Sequence, residues 1–411
     1  MAAGKVGFLP VEFTPASYEY VISGGRFLHA MGISLERVIL GTLLNIVLMV
    51  LTAYPLAKED LPGRGILSGF FVLTMLIGGG MIVTSCSKDD GMVPPSPEQT
   101  PTLIIYDTDI GSSTDDLFGL EMLHRYHDEG RCRLLGVVSD REGEEYAACT
   151  DVMNTYFGHG FLPVGMVRNG VKNPPVWIDY KELPNYKDGD GKLMFRHSIT
   201  DYTTLPDGWE LYRRLLSAQP DHSVSICSVG FVTALAQLLA SEPDQYSPLN
   251  GVNLVRQKVK CIYLMGGVFH NSVEPDFNFR KSFAFAREFF RLWPKEVDMV
   301  FSPMEVGENV EYKPEQVISD VSWTDVHPIK QVYMRCNCNT GQMMWDPMPV
   351  IQAVEGDELF LLSERGTVEF REDAMTVFTP SATGNCRYQK AKNTTWNQAM
   401  LDKIRWYNMI K

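Results

Sequence analysis

The sequence predicts an α/β domain with a mostly parallel central sheet over residues 102–411, preceded by a two-span membrane helical hairpin within residues 1–85. Three observations predict this. After residue 101, short apolar runs bounded by turns alternate with helix-like segments, the order that builds a parallel sheet. The first of these runs ends in an acidic cluster, Asp107-Thr108-Asp109-Ile110-Gly111, with Asp115-Asp116 close behind. Two long apolar stretches lie near the start of the chain with only a polar turn between them.

The apolar stretches come first in order. Val38 to Tyr54 and Ile66 to Val83 are each long enough for a short membrane span. A soluble domain seldom places two such runs so close together, so a hairpin in a membrane is favoured over two buried helices. The pieces SYEYVISGG, GTLLNIVLMVLTAYPLAKEDLPGR and LIGGGMIVT resemble the N-terminal part of a sugar-type ABC transporter permease. The later spans and the coupling loop of such a permease are missing, so transport by this chain alone is not expected. Val83-Thr84-Ser85-Cys86 followed by SKDDG resembles a bacterial lipobox, with Cys86 as the lipidated residue. The alternative is a cysteine at the end of a membrane helix. One account of this order is a permease fragment fused to a lipoprotein. The expected localisation is a membrane-anchored protein whose large domain lies on the periplasmic or extracellular side of a bacterium. Residues 86–101, polar and proline-rich, read as a tether.

The domain at 102–411 follows. Strand-like runs TLIIYDTD, CRLLGVVS, SVSICSVG, VKCIYLMGG and VDMVFSP are separated by helical patterns such as DDLFGLEMLHRYH and SFAFAREFFRLW. The last segment, WNQAMLDKIRWYNMIK, has apolar residues at helical spacing and is expected to pack on the domain. A net charge of −13 argues against a nucleic-acid partner, because phosphate binding needs a basic face. The eight cysteines are scattered without zinc-ligand spacing, and Cys336 and Cys338 are read as thiols or packing residues. His124, His159, His197 and His222 have no partner pattern and are read as surface or core residues.

The acidic motif carries the chemistry. TLIIYDTDIGSSTDDLFGL reads as strand, loop and helix, with Gly111 permitting a tight turn and Ser112, Ser113 or Thr114 capping a helix that buries Leu117, Leu120 and Leu123. Asp107 and Asp109 then stand at the strand's C-terminal end, where α/β folds bind ligands. Asp115 and Asp116 begin the helix beside the same crevice. Carboxylates so close repel one another unless some are protonated or a cation sits among them. Oxygen ligands without nearby His or Cys select Ca²⁺ or Mg²⁺ over zinc. An EF-hand loop is excluded, because Gly111 occupies its third ligand position and a strand precedes the motif. A haloacid-dehalogenase phosphatase also begins with DxD after a strand, but its second acidic pair stands much further downstream.

With the spacing DxDxG…DD, the motif resembles that of the inosine-uridine-preferring nucleoside hydrolases. Other pieces follow in family order: SVGFVTALAQLLA, IYLMGG, Pro275-Asp276-Phe277-Asn278-Phe279 and WDPMPVIQAVEGD. The resemblance spans about residues 102–370. It implies the nucleoside-hydrolase fold, with helices on both faces of the sheet, and calcium-dependent hydrolysis of ribonucleosides to ribose and free base. It also implies roles. Asp109 would ligate calcium and take a proton from the attacking water. Asp116, the Thr233 backbone carbonyl and Asp346 would complete the metal site. Asp115 would bind the ribose hydroxyls, Asp276 and Asn278 would hold the sugar, and Asp107 would order the loop from behind. His270 or Asn271 would supply a further substrate contact. Relatives of this kind are usually dimers or tetramers, so a homodimer or homotetramer is expected.

Three departures bear on activity. Asp276 stands where many members have Glu, and Ser113 where a longer-loop subgroup has Asp. Trp345 stands where many members have a His that protonates the departing base; Trp cannot do so, but it can stack on a purine. The expected substrates therefore lean towards purine ribonucleosides, with Trp345 acting on the base. Two competing functions remain: a ribosyl-binding lipoprotein without turnover, and the dehalogenase-type phosphatase.

Overall fold

The computed structural model describes residues 100–411, apart from 173, 175–177, 271–273, 337 and 339. They belong to the unit Ser96–Lys411. The two apolar stretches, Cys86 and most of the tether lie outside the described residues, as does Asn271.

Its first half runs β1 (Thr102–Thr108), α1 (Asp115–Asp128), β2 (Cys132–Ser139), α2 (Glu144–Tyr156) and β3 (Val164–Met166). Then come α3 (Gly208–Ser217), β4 (Val224–Ser228), α4 (Thr233–Ala240), α5 (Gly251–Lys258) and β5 (Val259–Met265). The middle holds α6 (Phe277–Lys281), α7 (Phe283–Leu292), β6 (Asp298–Ser302), α8 (Met304–Gly307), β7 (Glu311–Tyr312), α9 (Pro314–Asp320) and α10 (Pro328–Arg335). The chain ends with β8 (Gln342–Met343), α11 (Pro347–Glu355), β9 (Leu361–Leu362), β10 (Gly366–Phe370), β11 (Thr376–Pro380), β12 (Cys386–Lys390) and α12 (Thr394–Met409).

Seven strands pair in parallel in the order β3-β2-β1-β4-β5-β6-β12, and β10, β11 and β9 add antiparallel edges beyond β12. The parallel strands are buried on both faces, which is why they read as nearly continuous apolar runs. Alternate side chains go to opposite faces: Ile104 and Tyr106 join one core, while Ile105 joins the other. The first core is closed by α1, α11 and α12 through Leu117, Leu120, Leu123, Val350, Leu401 and Ile404. The second is closed by α3, α4 and α7 through Leu211, Leu235 and Phe289. Ile105 is fully buried, so cutting it to Ala would cost about 2–5 kcal/mol through lost transfer energy and the cavity left behind.

The strand order corrects nothing in the α/β expectation and adds one fact. It reverses between β1 and β4, so the crevice for a ligand lies outside the C-terminal ends of those two strands.

The localisation expectation is overturned. Among the described residues no helix is long and apolar enough to cross a membrane. The longest of them, α12, has 16 residues, about 24 Å at 1.5 Å per residue, against a hydrocarbon layer of about 30 Å. The hairpin on which a membrane anchor and a periplasmic or extracellular placement rested falls outside the described residues.

Candidate active site

β1 is pinned between β2 and β4, with Thr108 opposite Ser139 and Asp107 opposite Ser228. Its C-terminal end therefore opens at the reversal of strand order. Beyond it the chain turns sharply at Gly111, whose φ of +126° few other residues adopt. A Cβ there would lie 2.3 Å from the Tyr146 ring, so glycine is also required by space. The loop then enters α1 at Thr114. Thr114 is the residue before the helix, as expected, but its hydroxyl bonds Tyr333 Oη at 2.8 Å rather than capping a backbone N–H.

The cavity that opens here has a volume of about 320 Å³, near the lower end of the roughly 300–1,000 Å³ typical of small-molecule sites. Its lining includes Asp109, Ser112, Ser113, Asp115, Asp116, Val229, Asp276, Asn278, Trp345 and Asp346. Side chains separated by more than two hundred residues in sequence thus converge.

Each carboxylate has a defined hold. Asp116 accepts a short hydrogen bond from Thr108 Oγ1, and Tyr106 Oη donates to the Asp116 carbonyl at 3.1 Å. Asp115 accepts from the backbone N–H of Trp345 at 3.2 Å and of Asp346 at 3.4 Å, and from Gln342 Nε2 at 3.2 Å. Asp276 caps α6 by accepting from Phe279 N at 3.0 Å. Asn278 Nδ2 donates to the Val229 carbonyl at 3.0 Å. Asp109 accepts from Arg141 Nη2 at 2.9 Å, and the same nitrogen donates to Ser112 Oγ at 2.6 Å.

Burial and mutual repulsion push Asp115, Asp116, Asp276 and Asp346 towards protonation. Burial raises Asp115 and Asp276 to about 7. Asp116 and Asp346 are pushed well above the carboxylate range, first by burial and then by the neighbouring aspartates. One oxygen from each of Asp115, Asp116 and Asp346 can be chosen so that all three lie within 4.8 Å of one another, all buried. A cation at about 2.3–2.6 Å from each oxygen fits between atoms so spaced. The donors are all carboxylates, and this suits a hard divalent ion.

Behind the cavity, Asp107 accepts from Tyr212 Oη at 2.7 Å and has Asp140 as a neighbour. Burial raises Asp107 to about 8 and Asp140 well above its usual range. Asp140 in turn accepts from Ala234 N at 3.3 Å, which ties the start of α4 to the end of β2.

Two expected site residues are placed elsewhere. Thr233 does not line the cavity. It is the first residue of α4, so its carbonyl points along the helix towards a backbone N–H four residues on. From this loop Val229, the first residue after β4, lines the cavity, and its carbonyl is taken by Asn278 Nδ2. His270 is exposed, is not in the lining, and its backbone N–H donates to Glu305 at 2.7 Å. Trp345 lies in the lining with its indole N–H bonded to the Met304 carbonyl at 3.0 Å. The indole nitrogen is thereby occupied, leaving the ring as a surface.

Sequence reasoning missed Arg141. Its side chain is 2% exposed, bonded to Asp109 and Ser112, and its guanidinium lies over the rings of Tyr146 at 5.1 Å and Phe231 at 5.7 Å. It also missed the role of Gly230, where a Cβ would stand 2.3 Å from Asp109 N. The available signal was position. Arg141 follows β2 by two residues and Gly230 follows β4 by two, so both sit at the ligand-binding edge of the sheet.

No family model matches the chain. Two curated proteins of Bacillus subtilis (strain 168) match over a limited stretch. Protein LplC is 40% identical over 75 residues, 18% of this chain and 25% of its own length. The polygalacturonan/rhamnogalacturonan transport system permease protein YtcP is 36% identical over 80 residues, 20% of this chain and 28% of its own. The chain thus spans about a quarter of the length of the curated relatives it matches. Among solved structures, a plant nucleoside hydrolase covers 74% of this chain and 99% of itself, with a TM-score of 0.54 and 14% identity. An inosine-uridine preferring nucleoside hydrolase from Bacillus anthracis covers 75% and 99%, also with a TM-score of 0.54 and 14% identity. A purine-preferring ribonucleoside hydrolase from Gardnerella vaginalis covers 75% and 100%, with a TM-score of 0.53 and 13% identity. These likenesses establish the nucleoside-hydrolase fold.

Proposed function

We propose that residues 102–411 form a hydrolase of the N-glycosidic bond of ribonucleosides, leaning towards purines and dependent on Ca²⁺. The observation that carries this is the buried trio Asp115, Asp116 and Asp346, set within 4.8 Å in the ligand crevice of a nucleoside-hydrolase fold. Asp116 and Asp346 would hold the ion, with Asp109 beside them. When bound, the ion supplies positive charge that grips a ribose diol and acidifies a water.

The chain's own residues account for the rest. Asp115 would bind the ribose hydroxyls, and Asp276 and Asn278 would hold the far side of the sugar. Asp109 accepts a proton as water attacks the anomeric carbon. Arg141 holds that carboxylate in place through the 2.9 Å bond from its Nη2. The bond to the base breaks with its electron pair passing to the base nitrogen. The base then takes a proton from solvent, since Trp345 offers a stacking face and no proton. The acidic walls favour the cationic, oxocarbenium-like transition state. Asp107, bonded to Tyr212 and next to Asp140, fixes the loop that carries Asp109.

A second reading has one observation in its favour. Arg141 already occupies an oxygen of the proposed base, as suits a ribosyl-binding protein without turnover. The test is reducing-sugar release from inosine, adenosine and uridine by the full chain, with Ca²⁺ and with a chelator. Release that requires Ca²⁺ and disappears in Asp109→Asn supports the hydrolase. Nucleoside binding without release supports the binder.

A further inference from the structure

The cavity is not acidic throughout. α6, which carries Asp276 and Asn278, also contributes Arg280 and Lys281 to the lining. Asp276 and Arg280 stand four residues apart, so they share one face of that helical turn. Arg280 is exposed and bonds Glu274 at 3.2 Å, in a pair open to solvent on both sides. Lys281 is partly buried, with Nζ 5.6 Å above the ring of Phe277, itself part of the lining. A neutral nucleoside has no charge for two cations to meet. The aspartates opposite would also repel an anion unless positive charge were supplied near it.

We infer that the preferred substrate carries a phosphate ester on the 5′ side of its ribose, bound by Arg280 and Lys281, in preference to the unphosphorylated nucleoside. This rests on the ribosyl-hydrolase reading above, because it is the placement of the sugar on Asp276 and Asn278 that brings its 5′ side to α6. A guanidinium matches phosphate with two parallel N–H donors, and a lysine adds a point charge. The solvent-exposed contact to Glu274 is weak enough to exchange for such a ligand. The two cations also give a dianion a local attraction within a chain of net charge −13.

The experiment compares kcat/KM of the full chain for inosine and inosine 5′-monophosphate in excess Ca²⁺, following free hypoxanthine. The wild type is expected to favour the monophosphate by at least about 10-fold, and raising salt should erode that ratio. Arg280→Gln/Lys281→Gln is expected to bring the ratio near one, with each single variant between. A wild-type ratio of one or below overturns the inference, as does a ratio that survives the double substitution. If neither compound is cleaved, the hydrolase reading fails. Calorimetry with ribose 5-phosphate against ribose then decides the inference separately: equal or weaker binding of the phosphate overturns it.

Discussion

Replacing Arg141 by methionine keeps most of the aliphatic stem and removes one buried charge. The lost contacts are the 2.9 Å bond to Asp109 and the 2.6 Å bond to Ser112. Asp109 is left among other buried acids with no cation beside it. Breaking a buried pair from one side costs about 3–5 kcal/mol, because the remaining charge is uncompensated. For a domain of roughly 300 residues the unfolding entropy is about 0.6 kcal/mol per degree, so the melting temperature should fall by about 5–8 °C. That figure applies in chelator. Added Ca²⁺ supplies the missing positive charge, so it should raise the melting temperature of Arg141→Met by more than that of the wild type. The assay is differential scanning fluorimetry of both proteins in EDTA and in millimolar Ca²⁺. A variant that melts within a degree of the wild type in EDTA would refute the role given to this ion pair. So would a smaller calcium response in the variant.

Other outcomes are expected on the same grounds. Gly230→Ala forces a methyl to within 2.3 Å of Asp109 N, and a displacement near 1 Å should lower kcat/KM about 100-fold in steady-state assays. Trp345→Ala should weaken kcat/KM for inosine about 2- to 10-fold through lost stacking and affect uridine less; equal losses would remove Trp345 from base recognition. Acid should destabilise the fold through His124, which burial first, and then the neighbouring His159, hold well below 6.5. Neutral His124 contributes fully above 6.5, and the unfolded chain takes up protons as pH falls below it, at a cost of up to about 1.4 kcal/mol per pH unit. Urea denaturation between pH 6.5 and 5.5 should therefore show a steeper loss for wild type than for His124→Phe.

The sheet and the acidic site were legible for different reasons. The apolar runs had nowhere to go but between two helical layers, and the fully buried Ile104, Ile105 and Tyr106 bear this out. Asp115, Asp116 and Asp346 stood in motifs whose order along the chain survives folding. What escaped was adjacency across strands. Arg141 belongs to no motif; it meets Asp109 because β2 lies against β1 with Thr108 opposite Ser139. Thr233 was chosen by likeness to a helix start, and the cavity is lined at this loop by Val229, whose carbonyl accepts from Asn278. His270 or Asn271 followed a family position; His270 is exposed with its backbone N–H on Glu305, and Asn271 lies outside the described residues. The membrane expectation rested on residues 1–85, and none of the described helices repeats that pattern.

The bond from Asp346 N to Asp115 closes a span of 231 residues. Contacts of such long range form late, since their loop-closure entropy is met only after intervening pieces have condensed. During synthesis β1 and α1 emerge with two of the clustered acids and must wait for α11 before the third arrives. Until then the three carboxylates are not assembled. A protein clipped anywhere between Asp116 and Asp346 would keep the trio only while the two pieces remained associated, which makes the assembled trio a report on the integrity of the whole domain.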